Sequence, residues 1–158
     1  MILGIPKSAF LLGLAGVIPF IWGVATLFHA GLSDWAIRII GIRFVGQNVQ
    51  LFYGTVILSF MSGVIWGLAS KQQQKQATLG YTLSIAPALW AFFTTGGDPE
   101  DSILNLIAGF LALLLIDWYF WRLDIAPAWW MRFRLLLTIT ILVSNCLLYT
   151  SPSPRDRG

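Results

Sequence analysis

The sequence predicts an all-α membrane protein, a bundle of about five transmembrane helices, and three observations carry that prediction. Only 11% of its 158 residues are charged while 57% are hydrophobic, and mean hydropathy is +0.75; a soluble domain carries about 25% charged residues. Seven acids and ten bases cannot keep a sphere of this size wet, so most apolar side chains must face lipid. Four apolar stretches reach the roughly 17–25 residues that a tilted helix needs to cross a bilayer, and a fifth begins. Alternating strands of about ten residues, which a barrel requires, are missing from the pattern, and in an open chain only a helix pairs its own backbone within lipid.

The first stretch, Ser8 to Phe28, follows Lys7 and is rich in Leu and Gly. A cleaved signal peptide shares those features, but this run is too long and holds Pro19 and Trp22 where a signal core is uninterrupted. It reads as a retained span. Ser33 to Phe44 then mixes Ile and aromatic residues with Arg38 and Arg43, the pattern of a short interfacial helix along the headgroups; an ordinary loop is the plain alternative. His29 sits at the end of the first span with no second histidine to share a metal, so an interfacial place is expected of it.

The second, third and fourth spans are expected at Leu51 to Ala69, Leu79 to Thr95 and Ser102 to Trp121, and a fifth from Leu135 to Asn145 onward. The last is read as truncated. Cys146 to Asp156 reads like the translation of a sequencing adapter, so residues 146–158 are taken as a non-native read-through tail and residues 1–145 as a single transmembrane domain. Setting the tail aside removes the only cysteine, and with it any disulfide, thiolate or cysteine–metal chemistry.

Within the second span, Thr55, Ser59, Gly63 and Gly67 fall four apart and form a stripe of small residues on which another helix backbone can approach closely. Packing within the chain is expected there ahead of pairing with a second copy. Pro19 and Pro87 lie inside the first and third spans, where each removes a backbone donor, and each is followed three residues later by a tryptophan, Trp22 and Trp90. That is either chance or the trace of a parallel two-helix duplication.

Orientation follows from basic residues, which accumulate on the cytoplasmic side of short loops. With five spans, one face collects Lys7, Lys71, Lys75, Arg122, Arg132 and Arg134, and the other only Arg38 and Arg43 beside Asp34, Asp98, Glu100 and Asp101. The N-terminus is therefore expected in the cytoplasm of a bacterial inner membrane, or in the matrix if the membrane is the mitochondrial inner one. Trp66, Tyr81, Trp118, Tyr119, Trp121, Trp129 and Trp130 fall at the basic face and read as an aromatic belt.

Candidate chemistry is sparse. Asp98-Pro99-Glu100-Asp101 reads as a helix N-terminus, with Asp98 as cap, Pro99 at the first position and two acids against the helix dipole. Asp117 is the one acid inside an apolar span, a costly placement that makes it a functional candidate. It stands about 7.5 Å of helix rise from Arg122, and an ion pair with Arg122, Arg132 or Arg134 is expected ahead of proton or ion handling. Phosphate loop, nucleophile elbow and zinc spacing are lacking, so no catalytic, cofactor or metal residue is assigned and the chain is not expected to be an enzyme. Basic residues scattered in loops beside membrane spans argue against a nucleic-acid partner.

The segment Tyr53 to Gly67, Asp117, Ala126-Pro127-Ala128-Trp129, Arg134-Leu135 and Thr138, with Ile5-Pro6-Lys7, Gly13-Leu14-Ala15-Gly16 and Ile18-Pro19-Phe20, resembles a bacterial inner-membrane family, domain of unknown function 3429, to which mitochondrial transmembrane protein 69 is similar. The resemblance runs over the chain up to the adapter-like tail and implies five spans and no assigned activity. Ile65 departs from it where a polar residue is expected before the tryptophan, which speaks against a polar site at that point. Two functions follow as expectations: a non-enzymatic scaffold or assembly partner, whose partners are the lipid bilayer and either further copies or another membrane protein; or a small solute or proton-coupled carrier using Asp117 and the proline-broken helices. The few intramembrane polar groups favour the first, because a carrier must replace a solute's hydration.

Overall fold

The computed structural model describes residues 4–150, leaving out the side chains of residues 74–76. Its elements are all helical: α1 (Lys7–Ala15), α2 (Ile18–Phe28), α3 (Ala30–Ile40), a 3-10 turn at Ile42–Phe44, α4 (Gly46–Ala69), α5 (Gln74–Thr94), α6 (Pro99–Arg122) and α7 (Trp130–Tyr149). Among the described residues, five segments are long and apolar enough to cross a membrane, namely Lys7–Phe28, Gly46–Ala69, Ala77–Thr94, Pro99–Arg122 and Trp130–Tyr149.

The first span is two helices end to end. Pro19 has no N–H for the Ala15 carbonyl, and the chain crosses the gap with three-residue steps, Val17 N–H to the Leu14 carbonyl and Phe20 N–H to the Val17 carbonyl, both 3.0 Å. Pro87, by contrast, lies within an unbroken α5. The segment after the first span is a helix, α3, turning at the extended and exposed His29. Trp35, Ile37, Ile39 and Ile40 are exposed along it, the surface expected of an interfacial helix.

Every span begins earlier than the sequence pattern places it, and for two of them buried polar groups give the reason. α4 starts at Gly46 instead of Leu51 because polar groups there find partners on α2: the Gly46 N–H donates to Thr26 Oγ1 at 2.9 Å, and the buried Gln50 donates through Nε2 to the Phe20 carbonyl at 2.8 Å, although its Oε1 is left without a partner. α7 starts at Trp130 instead of Leu135 because Arg134 is inside the bundle, 1% exposed. The fifth span therefore reaches 20 residues, running on through Cys146 to Tyr149.

α4 is the hub, packed against α2, α5, α6 and α7. It runs antiparallel to α5, where Thr55 meets Thr95, Ser62 donates to the Ser84 carbonyl and Ala69 meets Gly80. It runs parallel to α6, where Gly54 faces Leu106 and Leu58 faces Gly109. Those two contacts need glycine: a Cβ on Gly54 would sit 2.4 Å from Leu106 Cδ2, and one on Gly109 2.6 Å from Leu58 Cδ2. Small residues at such crossings let helices approach closely enough for dispersion to hold them in lipid. Phe20, Leu58, Ile65, Leu106, Phe110 and Leu113 fill the centre; Ile65, where the family resemblance suggests a polar residue, is fully buried.

α6 ends in a Schellman turn, with the Ile125 N–H on the Phe120 carbonyl and the Asp124 N–H on the Trp121 carbonyl, both 3.1 Å. Asp124 holds the left-handed position at φ +56°, one that glycine normally takes. This turn brings α7 back antiparallel along α6 and sets up the site below.

Candidate functional site

Asp117 on α6 and Arg134 on α7 form a buried ion pair, Arg134 Nε donating to Asp117 Oδ2 at 2.5 Å with both side chains 1% exposed. The other carboxylate oxygen, Oδ1, accepts from the Trp130 indole N–H at 2.9 Å. Trp130 and Arg134 are one helical turn apart, so both point from the same face of α7 and grip one carboxylate between them. Removing two charges from water is costly, and the arrangement offsets that cost only through short, charge-assisted bonds to both oxygens. Arg134 is not fully used: its Nη2 is buried without a hydrogen-bond partner, as is the Thr138 hydroxyl one turn further along.

Of the three arginines expected near Asp117, the structure selects one. Arg122 is exposed and lies over the Trp118 ring, 5.1 Å from its centroid, and Arg132 is exposed beside Gly4. Arg134 is thus buried inside the bundle and not at a membrane face, which leaves five basic residues against two in the orientation count. Trp130 also leaves the aromatic belt, being buried against Asp117, whereas Trp66, Trp118 and Tyr119 are exposed as a belt requires. Its role carried one sequence signal, the four-residue spacing from Arg134, which composition alone does not weigh.

The small-residue stripe is split. Thr55 Oγ1 lies 3.2 Å from Thr95 Oγ1 and Ser59 is half-buried. Gly63 and Gly67 are exposed, and a Cβ at either would meet nothing within 4 Å. The close in-chain packing expected of these two is made instead by Gly54, Gly80 and Gly109; spacing identifies a face but not which side of the helix the bundle occupies. Asp98 caps α6 as expected, accepting from the Glu100 N–H at 2.9 Å, and among the described residues no group of three metal-ligating side chains occurs.

The polar side chains in the spans are mostly turned onto backbone. Thr82 and Ser84 donate to carbonyls of their own helix, Thr78 and Tyr81, and Asn105 donates to the Thr94 carbonyl at 3.2 Å.

The family described as "Protein of unknown function (DUF3429)" matches residues 5–150. Transmembrane protein 69 of Xenopus tropicalis is 29% identical over 143 residues, a match covering 88% of this chain and 52% of that protein. The chain thus spans about half the length of that relative. No solved structure matches.

Proposed function

Since the chain belongs to the family of membrane proteins described as DUF3429, for which no activity is given, we propose that it is a non-enzymatic scaffold that holds a helix of another membrane protein, or of a second copy, against α4. The observation that carries this reading is the pair Gly63 and Gly67, four residues apart, exposed, and with no neighbour where a side chain would begin. Other glycines of the bundle, among them Gly13, Gly23, Gly54, Gly80 and Gly109, are already packed against side chains within the chain. A small-xxx-small pair left open on a span is the feature on which a partner helix packs by close backbone approach.

A proton-coupled carrier would use Asp117 instead, and it would need a carboxylate that can exchange partners. Both oxygens of Asp117 are held, which supports the scaffold reading. The proposed setting is a bacterial inner membrane, or a mitochondrial one, with the N-terminus on the cytoplasmic or matrix side. Native electrophoresis of the full chain in mild detergent tests the proposal: a complex larger than the monomer should be lost in Gly63→Leu/Gly67→Leu while the monomer's melting temperature is kept. A complex unaffected by the double substitution, or a monomer only, counts against it.

A further inference from the structure

A cavity of about 440 Å³ lies between the broken first span, α4 and α7, within the roughly 300–1,000 Å³ of small-molecule sites. Gly13 and Gly16, beside the helix break, form one wall, and Tyr53, Trp129 and Trp130 contribute aromatic rings. Leu12 and Phe60, also on its wall, are 74% and 66% exposed. The opening therefore faces the outer flank of the spans, where lipid lies, and a ligand would enter from the bilayer.

One charged side chain lines this apolar space, and it is Arg134, with a buried Nη2 that has no partner. A buried guanidinium N–H without an acceptor is costly, so the site calls for an acceptor oxygen. Asp117 already neutralises the guanidinium. With the guanidinium charge already balanced, little net attraction is left for an anion, and a cation would meet a donor, so the fitting group is a neutral carbonyl. The aromatic walls favour a flat ring, which stacks or meets them edge-on, and the route from lipid favours an apolar tail.

We propose that this cavity binds a lipid-soluble quinone, its ring among Tyr53, Trp129 and Trp130 and one carbonyl oxygen accepting from Nη2 of Arg134. The site does not depend on the packing role proposed for Gly63 and Gly67, and a binding assay on the monomer decides it whatever the native gel shows.

The test is photolabelling of the purified full chain in nanodiscs with an azido-substituted short-chain ubiquinone analogue, with labelled peptides mapped by mass spectrometry. Label should fall on Gly13–Val17 and Trp129–Leu137 and be competed by the unsubstituted quinone, but not by myristate or by an alkylbenzene of equal chain length. Arg134→Lys keeps a charge for Asp117 and removes Nη2; loss of a charge-assisted hydrogen bond should weaken competition about tenfold or more. Val64→Phe, on the cavity wall, fills the space without touching the ion pair and should abolish labelling there even if Arg134→Lys does not fold. Equal competition by the alkylbenzene, stronger competition by myristate, a tightly held phospholipid that quinone does not displace, or labelling unchanged in Val64→Phe would each overturn the proposal.

Discussion

Trp22 and Trp90 hold the same post in two different spans. Each stands three residues after a proline and donates its indole N–H at 2.7 Å to a backbone carbonyl, Trp22 to Phe44 just ahead of α4 and Trp90 to Asn105 on α6. Each also receives a threonine hydroxyl on its own carbonyl from one turn later, Thr26 at 2.9 Å and Thr94 at 2.7 Å. The first and third spans are thus clasped to the spans that follow them by the same pattern of side chains, Pro-x-x-Trp-x-x-x-Thr.

Equal roles imply equal costs. Trp22→Phe and Trp90→Phe each remove one indole donor, so each should lower stability by about 1 kcal/mol, read as similar shifts in melting temperature in detergent. A large effect at one position and none at the other would separate the two.

Glycine substitutions should sort by the face they occupy. Gly54→Val and Gly109→Val place side-chain atoms against Leu106 and Leu58, and overpacking of this kind costs about 1–3 kcal/mol. Gly63→Leu and Gly67→Leu meet open space and should leave the monomer's melting temperature unchanged or slightly raised, since Leu is the better helix former by about 1 kcal/mol. Thermal unfolding of the four variants, followed by circular dichroism, measures the order.

What the sequence discloses here follows from what lipid demands. Five spans and the cap at Asp98 are legible because apolar length and N-terminal chemistry are local properties. The starts of α4 and α7 are not, because Gln50 and Arg134 are polar by composition and become tolerable only through partners on other helices, the Phe20 carbonyl and Asp117. The packing glycines were equally hidden. Gly63 and Gly67 advertise a close approach by their spacing, whereas Gly54, Gly80 and Gly109 make it without any such spacing among themselves. Asp117 was visible as the lone intramembrane acid, and only the turn at Asp124 selects Arg134 from the three arginines within reach.

Reporter fusions check the proposed orientation. A periplasm-active reporter should be silent when joined after Lys75 and active after Asp98, as five basic residues at one set of span ends against two at the other require. The reverse pattern would invert the topology.

The central claim is that Asp117 and Arg134 serve as a structural clasp between α6 and α7, and a double-mutant cycle on folding stability addresses it most directly. Asp117→Leu and Arg134→Met should each cost about 3–5 kcal/mol, because each leaves an uncompensated buried partner. The double variant Asp117→Leu/Arg134→Met removes both charges and leaves apolar groups of similar bulk, so it should recover most of the loss. Single variants as stable as the parent, or a double variant as damaged as the two losses added together, would contradict the clasp.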